Sequence, residues 1–219
     1  MKNLKTHILF ISILSVSELS EARIELPFFQ RNCRTQQRRR LIVIAQSFYK
    51  ERVSALADVG GVKVFRAPSG YGTVELTIVD SEWSVPSSTL IASVQNAVDP
   101  LTDQGSGIGF APIGHTVTVS GVTGRTINTK FKLTLENNVS WPDVQAAVTA
   151  AIRGYFQSLI KLWADSEAIT VRISQIETRV LAVPGVLDVE NTTLNAVGAN
   201  IQLTGTEIPV LGEVSNGTA

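Results

Sequence analysis

The sequence predicts an α+β protein built as two small modules, each a mostly antiparallel sheet with helices packed on one face. Three observations predict it. A unit of helix, Val-x-Gly-Val, loop and strand occurs twice, at Val59-Gly60-Gly61-Val62 and at Val183-Pro184-Gly185-Val186. Two copies suit a pair of modules rather than a solenoid. From Thr126 to Leu135 the chain alternates strictly, with Ile127, Thr129, Phe131, Leu133 and Leu135 on one side and Thr126, Asn128, Lys130, Lys132 and Thr134 on the other. That is a half-buried strand with a wet face. Val144, Val148, Ile152, Tyr155, Leu159 and Leu162 then recur every three or four residues, the apolar stripe of a helix that docks on that strand. Helices and strands alternating in small groups give layers of sheet and helix around a core.

Taken in order, residues 1–47 stand apart as a poorly ordered or non-native section. Lys2 and Lys5 precede the apolar run Ile8 to Val16, which has the outline of a weak signal peptide and is too short to span a bilayer. Basic residues outnumber acidic ones between Lys2 and Asp58. Arg38-Arg39-Arg40 is explained by solvated charge better than by a binding patch.

The first module covers 48–121. A helix from Phe48 to Ala57 leads through a tight glycine turn at Gly60-Gly61 into a strand ending at Phe65. A turn from Ala67 to Gly72 and a strand from Thr73 to Ile78 follow. After the loop Ser81 to Pro86, Ser87 or Ser88 caps a helix whose buried face is Leu90, Ile91, Val94, Ala97 and Val98. That helix stops before Pro100, because proline disfavours helical geometry at Asp99. The loop from Gly105 to Gly114 is rich in glycine. A phosphate cradle would follow a strand and open a helix. This loop follows a helix and leads into the strand His115 to Ser120, so its glycines serve unusual backbone angles instead. His115 belongs at the strand edge.

The second module covers 122–214. Ser140 caps the long helix, Pro142 is tolerated in its first turn, and Asp143 takes the capping-box position. Trp163, near its end, suits the core or the sheet edge, with a partner contact as the alternative. A short strand at Ile169 to Ile173, a helix from Gln175 to Ala182, and strands at Val186 to Val189 and Asn200 to Thr204 follow. Glu207 to Leu211 closes the module, with Pro209 suited to an edge strand. Residues 215–219 form a tail.

The chemistry expected is thin. The chain of 219 residues has no net charge and one cysteine, Cys33. No intrachain disulfide is possible, and His7 and His115 are too few for a zinc site. No nucleophile and base stand out. Glu75, Asp80 and Glu82 are carboxylates in search of a cleft, and a solvated loop accounts for the last two. Arginines and aromatics are not interleaved as a single-strand binder requires. The expectation is no catalytic residue, no metal, no cofactor, no nucleic acid and no membrane partner.

Several stretches resemble one family. They are Tyr49-Lys50, then Asp58-Val59-Gly60-Gly61-Val62-Lys63-Val64, then Gly109-Phe110-Ala111-Pro112-Ile113-Gly114 with Val117-Thr118-Val119, and the ending Ile208-Pro209-Val210-Leu211-Gly212-Glu213-Val214. Together they resemble the baseplate J-like proteins, wedge components of contractile phage tails and prophage particles, over about residues 48–214. The resemblance implies an architectural role in a virion baseplate, assembled in the bacterial cytoplasm. It implies contacts with other wedge proteins and with copies of the same chain. It brings no cofactor and no catalytic residue. Candidate interface residues are Trp83, Lys130, Lys132 and Trp163, with the loop from Leu101 to Gly114. Residues 1–47 depart from the family's N-terminal domain, which implies a truncated or frame-shifted gene. A secreted or surface binding module is the alternative reading, and a tail-associated cell-wall hydrolase a third.

Overall fold

Glycine placement and alternation shape the first half of the chain. The computed structural model describes residues 46–66, 70 and 72–217, and the described residues from Tyr49 onward form one compact unit. The expectations for residues 1–45, including the signal-like run and Arg38 to Arg40, lie outside the described residues. A helix over 46–54 (α1) precedes β1 (Val59–Arg66) and β2 (Thr73–Asp80), which pair antiparallel. The expected turn at Gly60-Gly61 is instead part of β1. The reversal falls on Asp58, at φ 62. Gly60 is the extra residue of a bulge, and a Cβ there would lie 2.2 Å from the Asp80 carbonyl oxygen. Only glycine allows that approach.

The helix α2 (Ser88–Val98) is capped by Ser87, whose hydroxyl accepts from the Leu90 N–H, and it ends at Asp99 as expected. A short 3-10 turn, Leu101–Asp103, opens the loop that leads to β3 (Thr116–Gly121). The first sheet has the order β1-β2-β3, with β3 parallel to β2. Leu76, Thr77, Ile78 and Val79 are all buried, so β2 is covered on both faces. Thr77 and Val79 share one side with Gly61 and Lys63 by strand alternation, and this side meets the second half of the chain.

The second half is organised by β4 (Thr123–Leu135). Ile127, Thr129, Phe131 and Leu133 are buried on one face, as the alternation requires. α3 (Trp141–Lys161) and α4 (Ile173–Leu181) supply Val148, Ile152, Ile176 and Val180 to the core beside them. β6 (Val186–Leu194) pairs antiparallel with β4, and β8 (Glu207–Asn216) pairs parallel on its other side, in the order β6-β4-β8. Between them β5 (Thr170–Val171) and β7 (Ile201–Gln202) form a two-stranded antiparallel pair. The architecture is α+β, with helices on small, mostly antiparallel sheets. The repeat recognised in the sequence is local: β1 forms a hairpin with the strand that follows it, whereas β6 pairs back to β4.

Three expectations change at this level. The stripe of α3 holds through Tyr155, but its last turns bury Phe156 and Ile160, while Leu162 is 60% exposed. The helix face turns there because Trp163 folds inward beneath it and fills the core. The strand expected at Asn200 to Thr204 is only Ile201–Gln202. The tail expected from Ser215 begins later, since Ser215 and Asn216 pair with Lys130 and Phe131. Pro209 does sit on an edge strand, where a missing N–H is harmless.

Candidate assembly interface

Between α2 and β3 the chain builds a braced loop that exposes large apolar side chains. Asp99 is 1% exposed, and its two carboxylate oxygens accept from the N–H groups of Gly105 (2.9 Å) and Val117 (2.8 Å). Gln95, one helical turn earlier, donates to the carbonyls of Asp99 (2.6 Å) and Val117 (2.9 Å) and accepts from Val119 N–H (2.7 Å). Buried polar groups are costly unless bonded in this way. These two side chains therefore satisfy the β3 backbone and anchor the loop at both ends. Further in, Phe110 and Ala111 donate to the carbonyls of Ala97 and Val98. A Cβ on Gly109 would lie 2.1 Å from the Val98 carbonyl oxygen, so the loop lies directly on the end of α2.

Beside the exposed Thr102, Asp103, Gln104 and Ser106, this braced loop turns three large aliphatic side chains outward. Leu101, Ile108 and Ile113 are 68%, 65% and 83% exposed. Single exposed apolar residues are ordinary, whereas several on one rigid loop mark a contact surface. The loop's other backbone feature is positive φ at Gly105, Gly107 and Gly114, as its glycine content leads one to expect. His115 lies just before β3, its Nδ1 2.8 Å from the Tyr49 hydroxyl. Burial, then the nearby charge of Asp99, pushes the Tyr49 phenol up to about 12.

The named candidates separate in space. Lys130 and Lys132 lie on the wet face of β4, beside a shallow concavity of about 820 Å³ lined also by Asn128, Asn195 and Glu213. Lys132 pairs with Glu190 at 3.2 Å. Trp83, at φ 62, is half-buried against the core of the second half. Trp163 is a correction. It is fully enclosed, and its indole N–H donates to the Gly205 carbonyl at 2.9 Å. It cannot touch a partner while the chain is folded.

Sequence reasoning missed Lys63. It reaches from β1 to donate to that same Gly205 carbonyl at 3.0 Å, with its ammonium 4.6 Å from the centre of the Trp163 ring. Desolvation lowers its pKa. The only signal available was a lysine inside a valine-rich strand, since its partners lie more than a hundred residues away. As for chemistry, the Asp80 carboxylate accepts from Ser84 N–H and Oγ and holds a turn. Among the described residues no group of three or more His, Cys, Asp or Glu is placed to hold a metal.

Comparison with known proteins supplies the context. Residues 45–121 match the baseplate J-like central domain, and residues 127–217 match the baseplate J-like protein C-terminal domain. Two curated Bacillus subtilis (strain 168) proteins are similar. The uncharacterized protein YqbT is 31% identical over 83% of this chain and 50% of its own length. The phage-like element PBSX protein XkdT is 30% identical over 82% of this chain and 50% of its own. The chain thus spans about half the length of the curated relatives it matches. A solved structure titled as the anti-feeding prophage baseplate, 6-fold symmetrised, is similar in fold at TM-score 0.51. That likeness has 8% identity and covers 75% of this chain and 36% of that one.

Proposed function

This chain belongs to the baseplate J-like protein family, and from that premise we propose that it is a structural component of a phage or phage-like tail baseplate. It acts as a wedge subunit, bound to other wedge proteins and to copies of itself, and assembles in the bacterial cytoplasm. The observation that carries the proposal is the consecutive match of both family domains across 45–217. The exposed aliphatic loop Leu101 to Gly114 supports it, because a rigid apolar surface is what a permanent contact requires. So does the joint between the two halves at Lys63, Trp163 and Gly205, which lets the chain carry load as one body.

The loop is the primary contact element in this reading, and the Lys130 and Lys132 face is the second. The test is to label the chain with an epitope tag and to locate it by immunogold microscopy on purified tails from the source strain. Label at the baseplate end is the expected result. Label absent from all particles, with the chain free in the cell extract, refutes the proposal.

A further inference from the structure

A second concavity, of about 730 Å³, opens beside the loop that follows β2 and the first turns of α2. Its lining from α2 mixes Leu90, Val94 and Ala97 with Ser87, Thr89 and Ser93, and Val85 stands at its lip, 47% exposed. Its rim carries Asp58, Asp80 and Glu82, and no lysine, arginine or histidine lines it. One rim position is set by backbone: Asp58 takes φ 62, and Ser81 N–H donates to its carbonyl at 2.9 Å. Asp80 is committed to Ser84. Asp58 and Glu82 are exposed and have no ion pair among the described residues.

A partly apolar groove under a rim of one sign selects its occupant by charge. We infer that this groove docks a segment of a neighbouring tail subunit that presents apolar side chains flanked by lysine or arginine. Such side chains lay their aliphatic stems on apolar surface and hold the charged end at the rim. Complementary charge also speeds encounter and excludes acidic competitors. A nucleic acid or an anionic lipid surface is repelled by the same rim. A second copy of the chain is the competing occupant, since Lys161 and Leu162 are exposed side by side, and its self-association is read in the same experiment. The inference rests on the assembly reading for the existence of a neighbour, but the binding is measured on the isolated chain, so the two fail separately.

The probe is a labelled helical peptide of leucine and lysine, titrated against the full chain by fluorescence anisotropy. Its counterparts carry glutamate for lysine, or serine for leucine. The variants are Asp58→Asn with Glu82→Lys, and Val85→Ser. Asparagine tolerates the left-handed backbone at position 58, and all three side chains are exposed, so thermal melting should match the parent. The expected result is saturable binding of the Lys/Leu peptide, weakened by added salt and weakened roughly ten-fold by each variant. Equal binding of the glutamate peptide, no saturable binding, or binding unchanged in the variants overturns the inference. Self-association of the chain that the same substitutions dissolve also overturns it, because the occupant is then a second copy.

Discussion

Asp99 shows how much one side chain organises. In the sequence it is the last residue before Pro100 and marks a helix end. In the fold its carboxylate holds both ends of the 101–114 loop through Gly105 and Val117. Asp99→Ala leaves one buried and one half-buried donor unpaired and is expected to cost about 3 kcal/mol in urea unfolding. Tyr49 gives a pH signature. Its folded pKa of about 12 lies above the ordinary value of 10.0, so the folded state holds the phenolic proton more tightly than the unfolded chain. The resulting stability is complete below pH 10 and is lost as pH rises towards 12. Tyr49→Phe should flatten that alkaline decline, as read from melting temperature between pH 9 and 12. Neither role was legible from sequence, because Asp99 meets its partner Val117 and Tyr49 meets His115 only after the chain has folded back on itself. Trp163 was legible as a core residue. Its assignment to an interface failed because the partner for its N–H, the Gly205 carbonyl, belongs to a distant loop.

Elements were easier to read wherever period and cap coincide. In α3, Ser140 N–H and Oγ both donate to the Asp143 carboxylate at the N-terminus, and these bonds hold the Asp143 carboxyl below the usual range. The alternation of β4 predicted its buried face residue by residue. The stripe of α3 failed only in the last turns, where one residue of shift rotates the buried face by about 100° towards Trp163. The glycine unit was misread at Gly60, because a bulge and a turn share the same residue preference. For the 101–114 loop, stability and assembly should separate. Changing Leu101, Ile108 and Ile113 together to serine removes only exposed surface. It should alter unfolding stability by no more than about 0.5 kcal/mol per site while abolishing incorporation into tails. Gly109→Ala should do the opposite in order: it pushes a methyl into the Val98 carbonyl, destabilises the loop, and loses assembly as a consequence. Comparing melting curves with particle incorporation for the two variants distinguishes a contact surface from a packing element.

At the scale of the whole molecule, the two halves are tied rather than tethered. The hydrophobic cluster of the second half reaches Val79 of the first, and Lys63 and Trp163 converge on one carbonyl. The class of fold was legible because its evidence is periodic and local. The joint was not, because it depends on contacts across more than a hundred residues. Trp163→Ala should therefore cost about 3–5 kcal/mol and lower the melting of the whole described unit in one transition by calorimetry. Two separate transitions would show that the halves fold independently. If the chain is a structural part of a tail baseplate, finished baseplates depend on it. Tails are induced from the source strain with the gene intact, deleted, and restored in trans, and complete particles are counted by electron microscopy. Deletion is expected to leave tails without a finished baseplate, and restoration to recover them. Undiminished numbers of complete, baseplate-bearing tails in the deleted strain would contradict it.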